Sequence, residues 1–340
     1  MQSKKIIALL AFSILSCFQS LQACTEMLMH HNDQYVVGRN FDWPQTESFF
    51  MVNPIGEKHL ITDFKGKGKA LNWTSKYGSV SINYAEKHKP ILNAVMGGIN
   101  QKGLVASILW LNNGKYPQAK TKPVVTSAMW VQYLLDNAST VKQAIALTKK
   151  ISIQPTIFHG HKATLHLFVA DAKGHVAIME YVHGKLIVDQ GKHLSTPVFA
   201  NNTYAKSLAC LKKYKNFGGQ LTLPGGYASN ARFVRAASFL KRMPKPNSLN
   251  QAIAFEFNAL ADTAEAVGTA NATGWSVVYD LAHQKIYYRD VNNPNIRTLS
   301  LMQFNFSKDQ PIKTLALNNH LSGNVASHFY ILNKQEARKY

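Results

Sequence analysis

The sequence predicts an α+β protein in which antiparallel sheets are covered on their outer faces by helices. Two observations carry this. Alternating strand-like runs and helical runs come in blocks instead of strict alternation, which argues against a doubly wound parallel sheet. The strand runs within a block are joined by tight turns, as in Asp171-Ala172-Lys173-Gly174 and His183-Gly184, which is the connection antiparallel neighbours use.

The first block opens with Cys24 to His30 and Gln34 to Asn40 around the turn His31-Asn32-Asp33, a hairpin. Phe50 to Val52, Ser79 to Tyr84, Ile91 to Met96 and Leu104 to Leu111 continue it. Helical periodicity then covers Ser127 to Leu135 and Thr140 to Lys149, with Ser139 or Thr140 as the cap between them. A second β block holds Thr164 to Ala170, His175 to Tyr181 and Lys185 to Asp189. Helices return at Ala231 to Arg242 and Gln251 to Leu260, before a last pair of strands at Trp275 to Asp280 and Lys285 to Arg289. No internal repeat, low-complexity tract or linker interrupts the chain, so residues 24–340 read as a single domain.

The opening MQSKKIIALLAFSILSCFQSLQA sets two lysines before a short apolar run and ends on a small residue, the layout of a secretory signal over residues 1–23. That run is too short to span a bilayer, and no other stretch is long and apolar enough, so no stable membrane insertion of the mature chain is expected. The destination is the periplasm or the exterior. The formal net charge is +20, and the signal holds two lysines and no acid, leaving +18. No nucleic-acid motif accompanies that charge. The run Lys65-Gly66-Lys67-Gly68-Lys69 reads as a solvated hairpin loop.

With Cys17 in the signal, the mature chain keeps Cys24 and Cys210. A bridge between them is the default in an oxidising compartment, while Cys210, within Ser207-Leu208-Ala209-Cys210-Leu211, reads as a buried helical or turn residue. Cleavage after Ala23 would leave Cys24 with a free α-amine. The thiol and the amine have reference pKa values near 8.5 and 8, so nucleophile and base can sit on one residue. The same Leu21-Gln22-Ala23-Cys24 fits lipoprotein processing, in which Cys24 is lipidated and the chemistry lost. The first 30 residues leave both fates open.

The stretch Gly38-Arg39-Asn40-Phe41-Asp42-Trp43 resembles the choloylglycine hydrolase family of bile salt hydrolases and penicillin V acylases, members of the N-terminal nucleophile hydrolases. Three further segments resemble that family in order: Gly98-Ile99-Asn100-Gln101-Lys102-Gly103-Leu104 with the strand through Trp110, then Val198-Phe199-Ala200-Asn201-Asn202, then Leu223-Pro224-Gly225-Gly226-Tyr227 with Ala231-Arg232-Phe233. The resemblance implies a four-layer αββα sandwich, no cofactor and no metal, and catalytic roles for Cys24, Arg39, Asp42, Asn201 and Arg232. By the same resemblance Asn201 donates its amide to the oxyanion, Trp110 donates its backbone N–H, and Arg232 steadies charge near the nucleophile. Period-two alternation places Arg39 and Asp42 on opposite faces unless the strand ends or bulges, so the pair implies a bend near Phe41 that lets both side chains reach the terminus.

Trp43 and Trp110 together look like the Gram-negative penicillin V acylase branch and suggest an aromatic substrate pocket. The implied partner is a small N-acyl amide: penicillin V, an acyl-homoserine lactone or a conjugated bile salt. The family's tetramer is left uncertain, because the interval from Asn201 to Arg232 is shorter than in members where a hairpin there builds it. Two rival sites have little support. The histidines His159, His161, His166, His30 and His31 lack a zinc spacing, and Ser139-x-x-Lys142 and Ser238-x-x-Lys241 lack the partner motifs of serine β-lactam enzymes.

Overall fold

The hairpin at the start of the described chain seeds one of two large sheets. Its strands are β1 (Ala23–His31) and β2 (Gln34–Asp42), in unbroken antiparallel register from His31↔Gln34 to Ala23↔Asp42. The turn needs a left-handed residue, and Asn32, with φ of 50°, supplies it. The computed structural model describes residues 23–43, 47–61, 68–111, 113–118, 121–158, 160–333 and 337. Of the expected signal, residues 1–23, all but Ala23 lies outside these, as do Lys65, Gly66 and Lys67; the short pair Lys58–His59 and Trp73–Thr74 brackets that run.

The first sheet has seven strands in the order Val198–Phe199, β1, β2, Thr273–Asp280, Lys285–Asp290, Asn293–Ser300 and Gly323–Asn324. The second has nine: Lys185–Gln190, Val176–Val182, Leu165–Ala170, Val105–Trp110, Lys89–Asn100, Ser79–Glu86, β3 (Ser48–Asn53), Lys313–Ala316 and Tyr330–Ile331. Within these two sheets every pairing is antiparallel except that of Asn293–Ser300 with Gly323–Asn324. Phe50, Phe168, Phe199 and Ile99 lie in the core beside Val37 and Val277, which joins the two sheets.

Helices cover both outer faces. Helix α1 (Trp130–Asn137), entered through a 3-10 turn at Ser127–Met129, and α2 (Val141–Lys150) pack on the second sheet. Helices α3 (Tyr204–Leu211), α4 (Ser229–Arg242) and α5 (Leu249–Thr263) are packed together, and α4 and α5 lie on the first sheet. The layers therefore run helix, sheet, sheet, helix, and the expected α+β sandwich is the fold. Thr140 caps α2, accepting the Gln143 N–H at 3.2 Å.

Two motif residues turn out to be architectural. Asn100 Oδ1 accepts from the N–H groups of Lys102 and Leu104, and its Nδ2 donates to Leu135 O and Ala138 O, tying the turn to the end of α1. Gly103 follows at φ of 75°, where a side chain would be strained. The pair expected to close the fold is not the last, since Asn293–Ser300 and three short strands follow it. Helix α3 places Cys210 in a helix, half-buried, and both Cys24 and Cys210 are free thiols, so no bridge joins them.

Candidate active site

Cys24 sits one residue into β1, directly across from Phe41, and is 5% exposed. Arg39, two positions from Phe41, shares its face and projects between the sheets. There Arg39 Nη1 donates to Met96 O at 2.5 Å and Nη2 to Ile108 O at 2.8 Å. These carbonyls are free because pairing between Lys89–Asn100 and Val105–Trp110 runs only from Ile99↔Val105 to Gly97↔Ser107. The guanidinium fills the split beyond. Gly97 makes room for it: a Cβ there would meet Arg39 Nη1 at 2.7 Å and Ser107 Oγ at 2.9 Å.

Asp42 reaches the same strand end from the opposite face. The expected bend near Phe41 is absent: β2 stays paired with β1 through Asp42, and the irregularity falls in the neighbouring strand between Thr273 and Trp275. The strand end is therefore flanked on both sides of the sheet, with Arg39 on the inner face and Asp42 on the helix side. Asp42 Oδ1 accepts from Thr273 Oγ1 at 2.5 Å, while its buried Oδ2 has no hydrogen bond and lies 3.8 Å from Arg232 Nη1.

Arg232, buried near the start of α4, gathers this side. Its Nη1 donates to Cys24 O and, at 2.6 Å, to Thr25 Oγ1; Nη2 donates to Asn201 Oδ1 at 2.8 Å; Nε donates to Tyr227 O at 2.9 Å. Asn201 Oδ1 also accepts the Cys24 N–H at 2.7 Å, and Asn201 Nδ2 donates to Trp110 O at 2.9 Å. Two donors on one side and a carbonyl on the other fix the amide orientation. Leu111 N–H donates to Thr164 O, so the alternation of an antiparallel strand turns the Trp110 N–H to the opposite edge, the same edge as its carbonyl. One Asn201 N–H and the Trp110 N–H thus border the space beside Cys24.

Electrostatics follow from burial. Desolvation pushes the Cys24 thiol up; the Arg39 charge is the largest force opposing it, Asp42's charge adds to the rise, and the Asp42 backbone N–H and Arg232 pull down. Burial lifts Asp42 to about 7, against the pull of Arg232 and the Thr273 hydrogen bond. Glu265, 4.0 Å from Arg232 Nε, adds to that rise.

A cavity of about 90 Å³ opens over Cys24. Trp43 and Trp110, ring centroids 6.0 Å apart, form one wall; Phe158 stands 5.8 Å from Trp43, nearly perpendicular to it, and 5.1 Å from Tyr84. Met96, Ile108 and Leu165 complete an almost wholly apolar lining.

All the residues singled out in the sequence converge here: Cys24, Arg39, Asp42, Asn201 and Arg232 at one strand end, Trp43 and Trp110 in the pocket wall. Sequence reading missed Thr25, Thr273, Phe158 and Tyr84. Thr25 was within reach, since it follows the cysteine; Thr273 and Phe158 carry no local signal, because only the folding of distant segments brings them in. Among the described residues no group of three His, Cys, Asp or Glu could hold a metal, and His159 lies outside them. His166 pairs with Glu180 at 2.7 Å, and Glu180 accepts the Tyr204 N–H, bracing the segment that bears Asn201. Lys241 of the second SxxK match is bound to Asn216 O.

In this two-sheet α+β sandwich a buried cysteine at a strand end, flanked by two arginines and an amide, faces an apolar pocket. The chain belongs to the choloylglycine hydrolase family of linear amide C–N hydrolases: the family's sequence profile matches residues 24–314, opening on Cys24. It is 31% identical to the penicillin V acylase of Pectobacterium atrosepticum, over 84% of this chain and 82% of that protein. Identity to the bile salt hydrolase/transferase of Lactiplantibacillus plantarum is 25%, over 82% and 92%. Among solved structures, penicillin V acylase from Agrobacterium tumefaciens superposes with a TM-score of 0.78 at 27% identity, covering 93% of this chain and 99% of that one. The conjugated bile acid hydrolase of Clostridium perfringens shares the fold, with a TM-score of 0.71 at 21% identity over 88% and 98%. The protein is therefore an enzyme that hydrolyses linear amides.

Proposed function

We propose that removal of residues 1–23 exports the protein and frees Cys24 as its first residue, whose sulfur and α-amine together cleave the amide of N-acyl compounds. The carrying observation is the position of Cys24: its nitrogen is held 2.7 Å from Asn201 Oδ1 while the residue lines the aromatic pocket. A terminal amine has a second N–H to spare for Asp42 Oδ2, which has no hydrogen bond, and keeps its lone pair for the thiol proton.

In this reading the α-amine takes the thiol proton and the thiolate attacks the amide carbonyl. Arg39 favours the thiolate, as its charge opposes the rise that burial imposes. The oxyanion is received by the second Asn201 N–H and the Trp110 N–H, each such donor contributing about 3–4 kcal/mol in other hydrolases. The protonated amine gives its proton to the leaving nitrogen, the C–N bond breaks and a thioester remains. Water, deprotonated by the same amine, hydrolyses the thioester and restores the thiol. Arg232 and Asp42 hold Cys24 at both ends of its backbone and fix the direction of its amine.

Trp43, Trp110, Phe158 and Tyr84 suit a flat or apolar acyl group, so penicillin V and acyl-homoserine lactones rank before conjugated bile salts. The named activity of the 31% identical relative supports that order. The test is intact mass and N-terminal sequencing of the exported protein, followed by initial rates on the three classes. A free Cys24 with penicillin V turned over fastest is expected, and none from Cys24→Ser. Diacylglycerol on the sulfur would establish the lipoprotein fate instead, and faster bile salt turnover would reverse the order.

A further inference from the structure

From Gln190 to Phe255, 66 residues, the chain carries ten lysines and arginines and no aspartate or glutamate. Arg232 and Arg235 are buried and spent on internal acceptors. The other eight are exposed. Folding draws several of them together at one end of the α3–α4 layer. Lys212 caps α3, and the turn beyond it folds back so that Leu221 N–H donates to Lys213 O and Lys215 N–H to Leu221 O. From the last turn of α4, Lys241 reaches this turn, donating to Asn216 O and lying 4.8 Å from the centre of the Phe217 ring. Lys212, Lys213, Lys215, Lys241 and Arg242 thus surround a segment in which Leu221 is 51% and Leu223 45% exposed.

Cations in the last turn of a helix such as Lys241 and Arg242 are ordinary, because they complement its dipole. That does not account for the three lysines of the turn, for the missing acids, or for two leucines held in water among charges. We propose that this face docks on an anionic lipid bilayer, with the lysines on phosphate head groups and Leu221 and Leu223 entering the acyl boundary. Charge complementarity selects an anionic partner. The leucines select a bilayer over a soluble polyanion, since only the bilayer offers them an apolar medium. Among the described residues no helix is long and apolar enough to cross a membrane, so the contact is peripheral. Arg232 precedes Lys241 by nine residues, roughly 14 Å along α4, so the docking turn is separate from the residues that hold Cys24. The inference does not depend on the hydrolytic reading.

The experiment is co-sedimentation of the full mature protein with vesicles of phosphatidylcholine alone and of phosphatidylcholine with about one-third phosphatidylglycerol, at low and high salt. Binding only to the anionic vesicles, lost at high salt, is expected. The triple variant Lys212→Glu, Lys213→Glu, Lys215→Glu should lose it at least tenfold, and Leu221→Ser with Leu223→Ser about fivefold. Both should keep full amidase activity on a soluble substrate, which reports folding. The same charge change on α2, Lys142→Glu, Lys149→Glu, Lys150→Glu, should leave binding intact. Equal binding to neutral vesicles, loss in the α2 variant matching that in the turn variant, or indifference to the leucine pair would overturn the proposal.

Discussion

Arg232 Nη2 donates to Asn201 Oδ1 at 2.8 Å, and with the Cys24 N–H and Trp110 O this contact fixes which way the Asn201 amide faces. The same guanidinium serves Cys24 O, Thr25 Oγ1 and Tyr227 O. A lysine keeps the charge but cannot fan out to four acceptors. Arg232→Lys is expected to lower kcat about 100-fold or more, because the Asn201 amide, the oxyanion donor we propose, loses its orientation, and to cost about 2–3 kcal/mol of stability. Steady-state rates and urea titrations check both; an unchanged kcat would separate Asn201 from Arg232.

Arg39 is the strongest influence opposing the burial of the Cys24 thiol. Arg39→Met should therefore raise the thiol pKa further. Alkylation rate against pH reads this directly, with the midpoint moving to higher pH. Because that substitution also strands Met96 O and Ile108 O, Gly97→Ala provides a gentler probe: its Cβ would crowd Arg39 Nη1 at 2.7 Å and should shift the midpoint the same way by less.

Glu26 lies across from Arg39 in the β1–β2 register, fully buried, with neither carboxylate oxygen hydrogen-bonded. Burial raises it to about 7 from an ordinary 4.5, with Arg39 pulling the other way. The fold thus binds the proton more tightly than the unfolded chain. Stability from this group is complete below pH 4.5 and lost as the pH climbs through 7, a loss on the order of 3 kcal/mol. Glu26→Gln should remove that part of the slope, so urea unfolding at pH 5 and pH 8 should differ less in the variant than in the parent.

Phe158 closes the pocket against Trp43 and Tyr84, from a hairpin formed by Thr156–Phe158 and His161–Ala163. Phe158→Ala should lower kcat/KM for penicillin V about tenfold while sparing short alkyl amides, since an aromatic acyl group loses a wall that a small one never touches. Equal losses on both would place Phe158 in support of the fold instead of the substrate.

The strands and most helices were legible because their signals are local. Alternation from Gln34 to Asn40 places β2, and the Thr140 cap marks the start of α2. Helix α3 was left between helix and turn at Ser207 to Leu211, since eight residues beside a long polar turn give too short a periodic pattern. Resemblance to the choloylglycine hydrolase family, carried by four segments in order, also named the five polar residues of the site, and that list needed no geometry.

What the sequence by itself determined, then, was composition, the order of elements and the identities of Cys24, Arg39, Asp42, Asn201 and Arg232. The tertiary structure alone decided how they act on one another. Arg39 approaches from between the sheets and Asp42 from the helix side, Thr273 and Phe158 arrive from distant segments, and the strand split at Gly97 opens space for a guanidinium. Such relations depend on sheet packing and on which backbone groups remain unpaired, quantities that no window of neighbouring residues contains.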